Sequence, residues 1–139
     1  MQDSLGNLAT QFSRAALKRI NLELPLNGIP VTSEQWSVLV NVWQENGLPQ
    51  CALAAKLDKD KATFTRIIAG IEAQGLVVRV PGPKDAREKI VSLTDDGKRV
   101  MDRATEIVQG ILEVAKRGIP EDDLRICKGV LRKAYANLR

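Results

Sequence analysis

QCALAAKLDKDKATFTRIIAGIEAQGLVVRVPGPKDAREKIVSL, residues Gln50–Leu93, decides the fold. It reads as a short helix, a tight turn, a second helix, and two strands joined by a proline-glycine loop. In the second helix Phe64, Ile67, Ile68 and Ile71 recur at i, i+3, i+4 and i+7, which makes one apolar helical face. The opposite face carries Ala62, Arg66 and Ala69, flanked by Thr63, Thr65 and Gly70. The first face anchors the helix. The second is small, polar and basic, suited to a flat and negatively charged surface. Gln50–Leu57 is the short helix, with Leu53, Ala54 and Leu57 turned inward. Asp58-Lys59-Asp60 is the turn, and Asp60 is an N-cap whose carboxylate accepts from free backbone N–H groups. Gly75 closes the second helix as its C′ residue. Leu76–Val80 and Lys89–Leu93 are strands by their branched residues, and Pro81–Glu88 is an exposed loop between them. Two short helices across a three-residue turn make a helix-turn-helix, and the hairpin after it makes a wing. The physical sense is a two-point grip, with the helix in a major groove and the loop tip on flanking backbone or minor groove.

Around this centre lie longer helices. Residues 4–23 repeat apolar side chains at three and four residues (Leu5, Leu8, Phe12, Ile20), a pattern suited to packing along another helix. Leu24–Pro30, with two prolines and a glycine, is expected to break it. Thr32 and Gln35 form a capping box for the next helix, whose Trp36, Leu39, Val40 and Trp43 are expected in the core. Asn46-Gly47 ends it. Thr94 caps a long helix opening on Asp95-Asp96, with Val100, Ala104, Ile107, Val108, Ile111 and Ala115 on one side. Gly118-Ile119-Pro120 interrupts the chain before a last helix, with Pro120 expected at its first position. That helix carries Leu124, Cys127, Leu131 and Leu138 on its stripe. These terminal stripes exceed what one small winged helix can cover. They either fold back on it or pair with a second copy, and pairing is the favoured expectation.

Composition narrows the function. The length of 139 residues favours one domain, and the apolar and charged fractions of 44% and 27% are those of a globular chain. Apolar runs fall far short of a membrane span, and with no signal-peptide pattern a cytoplasmic location is expected. Net charge is +4; residues 56–89 hold eight basic side chains against five acidic ones. A solvated basic face is the plain alternative on charge alone. The chain has no histidine, which removes the commonest general base and metal ligand, and its two cysteines form no C-x-x-C. No enzyme activity, cofactor or metal is expected. Cys51 stands near a helix start, where the dipole can lower a thiol's pKa; the two readings are redox sensing and buried packing, with packing favoured. Cys127 is expected in the core or between two copies.

In combination these segments resemble the MarR family of transcriptional regulators along nearly the whole chain. Gly28–Leu39 is similar to the family's glycine-led, tryptophan-containing entry to its second helix. Residues 60–66, Asp-Lys-Ala-Thr-Phe-Thr-Arg, resemble its Asp-Lys-Ser-Thr-Val-Thr-Arg opening of the recognition helix. Residues 72–77 resemble Glu-x-x-Gly-Leu-Val, and residues 81–87 resemble the wing's Pro-x-Pro-x-Asp-x-Arg, followed by Val91–Thr94 and Gly97. The resemblance implies a mainly α fold with a small β-hairpin wing: one domain over 1–139, a winged helix-turn-helix at 32–94, and dimerisation helices at 1–24 and 95–139. It implies a homodimeric repressor on a pseudo-palindromic operator in double-stranded DNA, released by a small aromatic or anionic effector. A winged helix that contacts protein or RNA instead is the alternative.

The expected DNA-binding residues follow from both lines. Arg66 is the expected base or phosphate contact, since arginine bridges guanine O6 and N7. Thr63 and Thr65 match recognition-helix positions, although Thr63 is as well suited to a local bond at the helix start. Lys59 and Lys61 are expected on phosphates, with Ala62 and Ala69 on the outward face. Asp85 and Arg87 match the wing motif, the aspartate steadying the arginine that reaches the minor groove. Ala62 stands where a serine is common and Ala86 where a second arginine is frequent, so the grip differs there. Gly70 costs about 1 kcal/mol in a helix, and either admits DNA closely or is simply tolerated. Arg14 and Lys18 on the first helix are candidates to face an effector cleft, with plain surface charge the alternative.

Overall fold

Leu5–Leu26 (α1) and Ser33–Gln44 (α2) lead into a two-residue strand, Leu48–Pro49 (β1), in the computed structural model, which describes residues 2–139. Gln50–Lys56 (α3) and Lys61–Ala73 (α4) follow. Then come Val77–Pro81 (β2), Lys89–Leu93 (β3), Asp95–Ala115 (α5) and Glu121–Leu138 (α6). The fold is mainly helical with a small antiparallel sheet, as read from the sequence.

The apolar stripe of α4 is its centre. Phe64, Ile67, Ile68 and Ile71 are all buried, against Val38, Leu39 and Val42 of α2, Leu53 of α3, and Val77, Val91 and Leu93 of the sheet. Met101 and Ala104 of α5 and Leu24 of α1 close the same core. The caps form where the sequence places them. The Thr32 hydroxyl accepts from the Gln35 N–H and the Gln35 amide oxygen accepts from the Thr32 N–H, both at 3.1 Å. Gly75 takes φ +77° at the end of α4.

Several expectations are corrected. The sheet has three strands in the order β1-β3-β2, with Leu48 opposite Val91 and Pro49 opposite Ile90. Two residues are too few for any periodicity, and an edge position tolerates a proline. Helix α1 runs through Pro25 to Leu26. Its stop is a Schellman motif at Gly28 (φ +77°), with the Ile29 N–H on the Leu24 carbonyl and the Gly28 N–H on the Pro25 carbonyl. Leu24 and Ile29 are both fully buried across this turn, so one missing proline N–H does not end the helix. The buried face of α2 is Val38, Leu39 and Val42; Trp36 is only half-buried and Trp43 is 39% exposed. Pro120 caps α6 rather than opening it.

Helix α6 buries no residue, so the alternative in which it folds back onto the winged part does not hold. Ile126, Val130, Leu131, Tyr135 and Leu138 stay exposed, as do Leu5, Leu8 and Phe12 of α1. Cys127 is exposed with them, not in a core.

Candidate nucleic-acid interface

The site is built around the first turn of α4. The Asp60 carboxylate accepts from the Thr63 backbone N–H and from the Thr63 hydroxyl, each at 2.8 Å. The backbone bond first, and the hydroxyl second, hold the Asp60 carboxyl below its ordinary pKa. The Thr63 hydroxyl proton is therefore committed to the cap, which is the local reading of this residue. The turn before it is a second Schellman motif, with Asp58 at φ +52° in the left-handed region that aspartate tolerates.

Beyond the cap, Lys61, Ala62, Thr65, Arg66 and Ala69 are all exposed, so the outward face is the one read from the sequence. Its two flanks differ. On the wing side, Thr65, Lys61 and Lys59 line a cleft of ≈ 550 Å³ together with Arg87 of the wing. On the other side α4 and its C-cap Gln74 meet α2 and the turn before it along a seam, at positions 66, 70 and 74. The Arg66 guanidinium lies 3.7 Å from the Glu34 carboxylate. A Cβ on Gly70 would stand 3.2 Å from the Gln35 amide nitrogen. The Gln74 amide donates to the Pro30 carbonyl at 3.2 Å. At Gly70 the Gln35 amide of α2 therefore lies in van der Waals range of the helix backbone.

The wing is internally braced. The Arg87 backbone N–H and Nε both donate to Asp85 Oδ1, at 3.0 and 3.3 Å, while the Arg87 side chain remains 92% exposed. The Gly82 N–H donates to the Glu88 carbonyl, and a Cβ there would fall 2.8 Å from the Asp85 carbonyl oxygen. Only glycine fits that bend.

Sequence reading missed the strut between these parts. Arg79 of β2 donates to both oxygens of Glu72 on α4, at 2.8 and 3.3 Å, and to the Gln50 amide oxygen at 3.4 Å. The Arg79 hydrogen bond holds the Glu72 carboxyl below its ordinary value, and Glu72 raises Arg79 in turn. Alternation along β2 was the available signal: Arg79 sits between exposed Val78 and Val80, on the opposite face of the strand.

Arg14 and Lys18 are exposed and do not line the cleft between α1 and α5. That cleft, ≈ 270 Å³, is bounded on α1 by Phe12, Ala15, Ala16 and Arg19, so its cation is Arg19. Cys51 is exposed in the wing-side cleft, which overturns its expected burial.

The MarR family model matches residues 31–89, the span from just before α2 to the start of β3. An HTH-type transcriptional regulator of Mycobacterium bovis, Mb0904, is 31% identical over 106 residues, covering 75% of this chain and 73% of that one. The chain belongs to the MarR family. Another relative is the organic hydroperoxide resistance transcriptional regulator of Bacillus subtilis. It is 29% identical over 106 residues, covering 76% of this chain and 71% of its own. Among solved structures, CouR of Rhodococcus jostii RHA1 bound to p-coumaroyl-CoA superposes with a TM-score of 0.82. It is 25% identical, over 96% of this chain and 92% of CouR. This MarR protein is a DNA-binding transcriptional regulator with the winged-helix fold. Among the described residues no helix is long and apolar enough to cross a membrane.

Proposed function

We propose that the chain acts in the cytoplasm as a homodimeric repressor that reads a pseudo-palindromic operator. The observation that carries this reading is the shared outlook of α4 and the wing. Thr65 and Lys61 border the same cleft as Arg87, so recognition helix and wing tip can meet one duplex. Arg66 and Thr65 read base edges or phosphate, Lys59 and Lys61 hold phosphates, and Ala62 and Ala69 let the helix approach closely. Arg87 enters the minor groove, steadied by Asp85. Residues 32–94 form the DNA-binding part. Residues 1–24 and 95–139 form the dimer, an assignment supported by the uncovered stripes of α1 and α6. An aromatic or anionic effector releases the operator; the support is CouR, which carries an aromatic thioester ligand on the same fold.

Selection of bound duplexes from a random DNA pool tests this. Enrichment of an inverted repeat, with half-sites about 34 Å or a multiple of it apart, is expected. Binding should weaken steeply with salt. A pool that enriches no motif would move the assignment to a winged helix that contacts protein or RNA.

A further inference from the structure

The cations of the α4–wing surface divide into two kinds. Arg66, Arg79 and Arg87 each hold a carboxylate, from Glu34, Glu72 and Asp85 respectively. Among the described residues, Lys59, Lys61, Lys84 and Lys89 hold none within 4.0 Å. Two of the three arginine partners have evident duties: Glu72 ties α4 to β2, and Asp85 shapes the wing. Glu34 has neither. It stands in the first turn of α2, 49% exposed, beside an arginine that is itself 68% exposed. Its place is fixed by architecture. The next residue, Gln35, is locked into the α2 capping box and lies against Gly70, one turn along α4 from Arg66. The seam brings Glu34 to Arg66 at its first position.

A carboxylate beside a DNA-reading arginine has one effect of known sign. It opposes the phosphate backbone of any duplex, so it weakens binding that depends on charge alone. Its contact with the guanidinium is one ion pair at 3.7 Å, longer than a hydrogen bond, so the N–H donors of Arg66 stay available to a base edge. The guanidinium stays charged beside a carboxylate that offsets its field at a distance, and still donates in its planar fork geometry. We infer that Glu34 is a specificity-determining residue: by pairing with Arg66 it offsets that arginine's charge-only attraction to phosphate and so suppresses non-operator binding. This rests on the proposed role of Arg66 in DNA reading. The unpaired lysines then supply most of the sequence-independent attraction.

The test uses the full-length protein, a duplex recovered from the random pool, and a scrambled duplex of the same composition. Affinity for each is measured against salt for wild type, Glu34→Gln, Arg66→Ala and the double variant. Glu34→Gln keeps the side-chain shape and removes the charge. It should raise affinity for the scrambled duplex about three- to tenfold and steepen its salt slope by up to about one ion. It should also lower the ratio of selected to scrambled affinity several-fold. In the Arg66→Ala background that fall in ratio should vanish. An unchanged ratio in Glu34→Gln overturns the proposal. So does an equal fall with Arg66 absent, since Glu34 would then act only as a general surface charge. Glu34→Ala, which removes both charge and contact, must move the ratio in the same direction. If Arg66→Ala alone leaves both affinity and ratio unchanged, the reading of Arg66 as a DNA contact fails instead.

Discussion

Replacing Gly97 by alanine should separate the recognition unit from the helix that supports it. Gly97 is buried in the first turn of α5, and its N–H donates to the Thr94 hydroxyl at 2.9 Å. A Cβ there would lie 2.1 Å from the Leu76 carbonyl oxygen and 3.1 Å from Leu93 Cδ2. A carbon against a carbonyl oxygen needs about 3.3 Å, so α5 must retreat from the Leu76 backbone, just before β2, by roughly 1 Å. The same carbonyl accepts the Thr94 N–H at 3.0 Å, so the retreat also stretches that bond. Overpacking costs about 1–3 kcal/mol and a weakened hydrogen bond about 1 kcal/mol. Alanine's better helix propensity returns at most about 1 kcal/mol. The net is a loss of roughly 1–3 kcal/mol, or about 3–12 °C in Tm for a chain of this length. Thermal and urea melts at one fixed protein concentration measure it. Gly110→Ala, in the same helix with nothing within 4 Å of its Cβ, is the control and should be neutral or slightly stabilising. A Gly97→Ala variant melting within about 2 °C of wild type would refute the steric account.

Arg87→Ala should weaken operator binding at all sequences and reduce the salt slope by about one, read by titration of a labelled duplex at several salt concentrations. The Glu72–Arg79 strut makes stability depend on acid. Because the Glu72 carboxyl is held below its ordinary value of about 4.5, its contribution is complete above that value. It is lost as pH falls below it, so urea midpoints should drop from about pH 5 to about pH 3 more steeply in wild type than in Glu72→Gln. Leu131→Lys on α6 or Leu8→Lys on α1 places a charge on an exposed apolar stripe. Either variant should shift sedimentation equilibrium from twice the chain mass toward the monomer while leaving the helical circular dichroism in place.

Local rules were legible wherever the partner of a group lies within a few residues. The caps of Thr32, Asp60 and Thr94, the C′ glycine at Gly75 and the buried stripe of α4 all follow from spacing alone. The outward placement of Ala62, Arg66 and Ala69 follows too, because a helix with one buried face must expose the opposite one. Trp43 shows where that logic weakens. On α2 the apolar residues exceed one face, and composition cannot say whether Trp43 or Val42 turns inward. Packing against α4 selects the smaller side chain.

What the tertiary structure decided are the relations between groups far apart in the chain. Glu34 reaches Arg66, Gln35 lies against Gly70, Arg79 ties to Glu72 and Gln50, and β1 pairs across more than forty residues to β3. Arg19 rather than Arg14 or Lys18 borders the α1–α5 cleft because the rotation of α1 is set by the burial of Ile20 and Leu24. Periodicity fixes which residues share a face but not what that face meets. The sequence by itself determined the reading helix, its caps and its wing, since those depend on backbone hydrogen bonds and apolar spacing over a few turns. The electrostatic setting of that helix, and the carboxylate beside its arginine, arise only when α2 is laid across it.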